Sequence, residues 1–223
     1  MVGASGLVLI TYRGRATHLE VITTHLRKHW SELTIAVIEQ ADTNAWNKGL
    51  LYNIGYKLLS SAYDYVILHD VDFIPVLGEV DYSYCDLPCM IAGRASQFNY
   101  QLLYSQFFGG VVVVSKTHYV AVNGFSNQYK GYGGEDDGLY QSFIQKGIQP
   151  QVKMGKFECF AHPKPDIRPG TGFYNTLDYQ NNLKLCTSPR DFTEGLSTID
   201  TLYHVDDIHY EPNYMHIKII TNG

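Results

Sequence analysis

Charge is scarce in this 223-residue chain: 17% of its residues are Asp, Glu, Lys or Arg, and the formal net charge is −5. A surface without a basic excess is poorly matched to a phosphate backbone, so no nucleic-acid partner is expected. No apolar run approaches the roughly 20 residues that cross a bilayer, and no signal-peptide pattern opens the chain, so no integral membrane segment is expected. Tryptophan occurs twice and cysteine four times. Cys85 and Cys89 have the spacing of half a zinc site, but no second pair follows at matching spacing, which argues against a structural zinc. Reduced thiols of a cytosolic protein fit this pattern, with one disulfide left open. A G-x-G-x-x-G fingerprint is also missing after the first apolar run, so a dinucleotide-binding Rossmann site is not supported.

What is present is enough apolar sequence, 45%, to bury a sizeable core in one large domain or two small ones. Tyrosine is abundant, with 18 residues. Such rings either line sugar sites or bridge core and solvent, and composition does not choose between them. The run LVLITY (residues 7–12) reads as a buried parallel strand. Residues 17–30 follow with apolar side chains at helical spacing and Thr17 as the expected N-cap. A second strand (33–38), a second helix (45–59) and a third strand (65–68) complete a βαβαβ start. That order predicts an α/β fold with a mostly parallel central sheet flanked by helices, and ligands at the carboxyl ends of the strands. Further on, 90–92 and 107–115 read as strands, 136–145 as a helix closed by Gly147, and 214–220 as a last strand. Residues 163–183, rich in Pro, Gly, Asn and Asp, read as a long functional loop able to close over a ligand. No repeat or linker appears, so one domain is expected.

Two acidic motifs carry chemistry. The third strand runs straight into His69-Asp70-Val71-Asp72, and residues two apart on a strand face the same way. Asp70 and Asp72 therefore can offer hard oxygen ligands to magnesium or manganese on a diphosphate, or can cap a turn. In NQYKGYGGEDDGLYQSF, Glu135, Asp136 and Asp137 follow Gly131, Tyr132, Gly133 and Gly134 and precede a helical pattern. An acidic first turn accounts for Asp136 and Asp137, but not for the glycines before them. One carboxylate taking a proton, with the others holding an acceptor beside bare backbone, accounts for both. His162 is a further ligand candidate, weighed against an ordinary surface or core histidine.

Three segments in series, DVDFIPV, FFGGVVVVSK and NGFSNQYKGYGGEDDGL, together resemble the β-1,4-galactosyltransferases, and the resemblance extends over nearly the whole chain. It implies a GT-A fold and metal-dependent, inverting transfer of galactose from UDP-galactose to a sugar hydroxyl, forming a β-1,4 linkage. The family's metal ligands fall on Asp72, on His162, and on Cys159 where many members have methionine; a thiol there is softer than manganese prefers, so it either binds poorly or shifts metal choice towards zinc or cobalt. Asp136 matches the family's catalytic base, with Glu135, Asp137, Tyr132, Gly133 and Gly134 at the acceptor, and Phe173 or Tyr174 placed to stack on its ring. The donor side falls on Tyr12, Arg13 and Arg15, on Trp46 and Lys48, on Asp70 and Val71, and on Phe107, Gly109 and Gly110.

Departures from the family shape the remaining expectations. Tyr132 stands where the family has tryptophan, and Phe107 stands where it commonly has a tyrosine that influences donor choice. Galactose is therefore expected, with UDP-N-acetylgalactosamine, UDP-glucose, UDP-xylose or an inactive sugar-nucleotide-binding protein as alternatives. Tyr65 replaces a family cysteine and leaves Cys85 without that partner. With no anchor or stem in the sequence, a cytoplasmic bacterial or viral enzyme is expected ahead of a trimmed Golgi-lumen catalytic domain. The halves expected are a nucleotide-binding one, about 1–90, and an acceptor-binding one, about 91–223.

Overall fold

The run of residues 7–12 forms a strand with no solvent-facing position. All seven residues of β1 (Gly6–Tyr12) are buried, because the strand lies inside the sheet between two neighbouring strands, with the crossover helices packed on it. The computed structural model describes residues 4–161 and 177–222. After β1 come α1 (Ala16–His29), β2 (Thr34–Gln40), α2 (Lys48–Leu59), β3 (Tyr65–Asp70) and the short strands β4 (Phe73–Pro75), β5 (Cys89–Met90) and β6 (Arg94–Ala95). The second part holds β7 (Val111–Ser115), α3 (Lys116–Ala121), α4 (Glu135–Gln145), β8 (Gln151–Val152) and β9 (Lys156–Cys159). It closes with α5 (Leu177–Thr187), β10 (Tyr203–Tyr210) and β11 (Met215–Thr221).

The large sheet has the order β10-β11-β2-β1-β3-β7-β5-β8, and β4, β9 and β6 make a second, three-stranded one. Its centre, β11-β2-β1-β3, is parallel throughout, as the βαβαβ start predicts. From β3 onward the pairing turns antiparallel through β7 and β5. Leu7, Leu9, Ile10, Val37, Ile38, Val66 and Ile67 are wholly buried in this centre. Each such side chain contributes about 1.5–3 kcal/mol relative to exposure. The result is a rigid sheet whose carboxyl edge presents the ends of β1, β2 and β3 on one side of the molecule, the α/β arrangement of a GT-A fold.

Several sequence boundaries move. Thr17 is not the cap of α1. The Arg15 carbonyl accepts the first helical bond, from Leu19 N–H at 3.0 Å, so Thr17 already lies inside the first turn. The helix expected from residue 45 begins at Lys48, because the Asn47 side chain accepts from Leu50 N–H at 2.9 Å and caps it there. The strand expected over 107–115 forms only from Val111, since Gly110 takes φ +79° and breaks the extended backbone before it. Residues 90–92 divide between β5 and an isolated bridge from Ala92 to Met154. Of the loop expected over 163–183, residues 177–183 are helical, the first part of α5; the rest of it lies outside the described residues.

Candidate active site

Strand β3 ends on Asp70, which is held at the sheet edge by its own N–H donating to the Gly110 carbonyl at 2.8 Å. Beneath it His69 is fully buried and neutral, its pKa depressed to about 4 by burial. A carbonyl only accepts, so the Nδ1–H of His69 donates to the Asp70 carbonyl (2.8 Å), and its Nε2 accepts from the Tyr82 hydroxyl (2.8 Å). His69 is thus a strut under the acidic strand end.

Lys48, the first residue of α2, meets that strand end from the helix that precedes β3. Its Nζ lies 3.0 Å from Asp70 Oδ1, 3.0 Å from Asp136 Oδ1 and 3.3 Å from Glu135 Oε1. One ammonium therefore joins the two acidic motifs that the sequence keeps 66 positions apart, from Asp70 to Asp136. The cluster carries three carboxylates and one cation, leaving an excess of negative charge. Burial alone would lower the Lys48 pKa; Asp136, Asp70 and Glu135 more than reverse this and hold it charged. Burial pushes the Asp136 carboxyl well above the carboxylate range, and repulsion from Glu135 and Asp70 adds to it against the pull of Lys48. Asp70 is raised for the same first reason, with Asp72 and Glu135 adding. Asp136 nevertheless keeps 24% of its side chain exposed, so a hydroxyl can approach it. A raised carboxylate open to solvent on one side is the form a general base takes.

Asp136 also explains a glycine. A Cβ built on Gly109 would collide with its carboxylate, and the neighbouring Phe107 ring would be 3.1 Å away. Phe107 packs edge-on to Phe98 at 5.4 Å and to Tyr104 at 5.5 Å. Tyr104 was not singled out in the sequence, yet its hydroxyl donates to Asp137 Oδ1 at 2.6 Å. Burial raises the Asp137 pKa, and that hydrogen bond partly offsets it.

On the donor side, Tyr12 ends β1 and is buried, and the Arg13 guanidinium stacks over the Trp46 ring at 5.2 Å while donating to the Asn44 carbonyl at 2.8 Å. Arg15 stands at the start of α1 and Val71 is buried between the two aspartates. Tyr132, Gly133 and Gly134 lead into α4, and the Gly131 N–H donates to the Trp46 carbonyl at 2.7 Å, so the glycine segment is tied to the loop before α2.

Asp72 is buried, and the backbone brings β9 beside it: Phe73 pairs with Cys159, and Phe160 N–H donates to the Asp72 carbonyl at 2.9 Å. Burial pushes the Cys159 thiol up to about 11, with the charge of Asp72 contributing. Strands β4 and β9 thus bring Asp72, a hard oxygen donor, next to the softer Cys159 thiol. Among the described residues no group of three such side chains assembles; His162, Phe173 and Tyr174 lie outside the described residues.

Comparison with known proteins gives two adjoining matches. Residues 4–86 match the family model described as the N-terminal region of glycosyl transferase group 7, and residues 91–166 match that described as the N-terminal domain of galactosyltransferase. Together they take in more than two thirds of the chain. The chain belongs to the β-1,4-galactosyltransferase family. Among relatives, β-1,4-galactosyltransferase 6 of Rattus norvegicus is 32% identical over 86% of the chain and 51% of its own length. β-1,4-galactosyltransferase 4 of the same species is 33% identical over 95% of the chain and 62% of its own length. The chain spans about half the length of the first of these relatives. The catalytic domain of Drosophila β-1,4-galactosyltransferase 7, solved with xylobiose, superposes with a TM-score of 0.82 at 26% identity, covering 99% of this chain and 95% of that one. A mutant of the same enzyme, solved with manganese, UDP-Gal and xylobiose, has a TM-score of 0.76 at 24% identity, over 98% and 95%.

Family membership corrects the expectation of a cytoplasmic bacterial or viral enzyme. The relatives are mammalian β-1,4-galactosyltransferases that extend well beyond the matched region. The replacement of one family cysteine by Tyr65 does not set the compartment. Among the described residues no helix is long and apolar enough to cross a membrane.

Proposed function

We propose that this chain transfers galactose from UDP-galactose to a hydroxyl of a sugar acceptor, with inversion and formation of a β-1,4 linkage. The observation that carries the reading is the Lys48-centred cluster, which sets the raised, partly open carboxylate of Asp136 beside Gly109 and Asp70. Asp136 takes the proton of the attacking hydroxyl as it adds to the anomeric carbon from the face opposite the leaving group. Lys48 keeps the carboxylates from repelling one another apart and presents a cation to the diphosphate side. Tyr12, Arg13, Arg15 and Trp46 bind the nucleotide, with Asp70, Val71, Phe107, Gly109 and Gly110 along the donor sugar. Tyr132, Gly133, Gly134, Glu135 and Asp137 receive the acceptor, with Phe173 or Tyr174 stacking on its ring. Asp72, Cys159 and His162 would hold a divalent cation, which offsets charge on the departing diphosphate when bound. Residues of about 1–90 then serve the nucleotide and those of about 91–223 the acceptor.

The names of the relatives support galactose as the sugar moved. Manganese and UDP-Gal are named for a Drosophila structure whose likeness here is one of fold. UDP release from a panel of UDP-sugars, with simple sugar acceptors and with either manganese or chelator, tests the proposal. Metal-dependent, acceptor-stimulated release from UDP-galactose is expected. Replacing Asp136 by Asn should then lower turnover by at least about 100-fold, the low end of general-base contributions, while UDP binding is kept. Transfer by that variant at the wild-type rate would refute Asp136 as the base.

A further inference from the structure

We propose that Asn182 of α5 is a positioning residue for the catalytic end of α4. The proposal rests on the transferase reading and deepens it. Asn182 is the buried residue of α5, only 2% exposed. Its Nδ2 donates to the Lys130 carbonyl at 2.8 Å and to the Gly133 carbonyl at 2.7 Å, and its Oδ1 accepts from the Lys130 N–H at 3.4 Å. The orientation of the amide follows from its partners. Two carbonyls only accept, so the NH2 must face them, and a flipped amide would set oxygen against oxygen. One side chain thereby serves three backbone groups of a segment about fifty positions away.

Gly134 is the cap residue of α4, takes φ +91°, and gives the helix no side-chain cap. Helix α5 packs on this residue instead: the Gly134 carbonyl, which accepts from the Gly138 N–H at 2.9 Å, also accepts from the Cys186 thiol at 3.1 Å, and a Cβ on Gly134 would press on Asn182 Cβ and Cys186 Sγ, both at 3.1 Å. On the far side the Gly131 N–H is bonded to the Trp46 carbonyl. The 131–134 segment is therefore strung between the loop before α2 and Asn182. Glu135, Asp136 and Asp137 are the next three residues, so their distance from Lys48 and Gly109 depends on where that segment is held. A displacement of about 1 Å at a reacting group costs on the order of 100-fold in rate.

Asn182→Asp is the discriminating variant, because it keeps the shape of the side chain and turns the amide donor into an acceptor facing two carbonyls. A side chain that only fills space tolerates Asn182→Leu, which is similar in size and removes the same donors without burying a charge, so that variant is measured beside it. Amide hydrogen exchange over residues 128–138 is expected to rise by about 10-fold or more, as bonds to Lys130 and Gly133 are lost, with β1 to β3 unchanged. The acceptor-dependent kcat is expected to fall by about 100-fold, while UDP affinity stays within about two-fold. Should the aspartate variant not fold, Asn182→Ala carries the same measurements with the same expected directions. Wild-type exchange at 128–138, a wild-type kcat, or exchange raised equally through the whole chain would each overturn the proposal. Exchange is read on the protein alone, so a wild-type chain without any UDP-sugar turnover sinks the transferase reading while the exchange result still decides the role of Asn182.

Discussion

Replacing Lys48 by methionine removes the ammonium and keeps most of the apolar stem. In the wild-type protein that ammonium lies 3.0–3.3 Å from three carboxylates and is only 11% exposed. At an effective dielectric of about 20, each contact is worth about 5 kcal/mol of attraction, set against the mutual repulsion of the carboxylates and the cost of burial. Removing one partner from such a cluster costs about 3–5 kcal/mol, because the remaining charges are left buried without a counter-ion. For a chain of this length the melting temperature should fall by about 6–20 °C at pH 7.5. The pH dependence is the sharper test. Asp136 and Asp70 already have raised pKa values, and loss of Lys48 raises them further. A carboxyl with a raised folded pKa keeps its proton in the native state when the unfolded chain has lost its own. Stability therefore drops as pH climbs from the unfolded carboxylate range towards the folded pKa, and is recovered on acidification. Urea unfolding of wild type and Lys48→Met at pH 7.5 and pH 5 should show a gap that narrows at pH 5. A loss below about 1 kcal/mol at pH 7.5, or the same loss at both pH values, would refute the argument that this lysine neutralises the cluster.

Two further outcomes are expected at the same site. Gly109→Ala places a methyl group against the Asp136 carboxylate; kcat should fall by about 100-fold with UDP affinity nearly unchanged, and steady-state kinetics beside UDP titration would show whether binding and turnover separate in this way. Tyr104→Phe removes the hydrogen bond to Asp137, which lets the Asp137 pKa rise further from its already raised value. The acidic limb of a pH–rate profile should then move to higher pH, and an unmoved limb would mean that Asp137 does not titrate in the reaction.

The fold was legible in the sequence where periodicity is strong. Strands β1, β2 and β3 are buried on both faces, so their unbroken apolar runs have one structural meaning, whereas the Asn47 cap that starts α2 at Lys48 was not read and the helix was expected from residue 45. The order of the two acidic motifs and the glycines before Asp136 also stood in the sequence, since a carboxylate behind bare backbone has few structural uses. Helix α5 was not legible. Its surface is polar, its buried position is an asparagine, and residues that bond to backbone elsewhere read locally as loop formers. Tyr104 was missed for a related reason, because nothing in its neighbourhood marks a hydroxyl whose partner is 33 positions away.

By itself, then, the sequence determined which segments are buried and which residues carry acid, since hydrophobic period and side-chain chemistry are local properties. Only the tertiary structure decided that Lys48 faces Asp70 and Asp136 together, that Gly109 is bare because Asp136 occupies its place, and that Asn182 holds the backbone before α4. Each of these is a contact between segments tens of residues apart, fixed by how helices lie on the sheet. Hydrogen bonds and charge pairs act over a few ångströms of space, a distance that position along the chain does not encode.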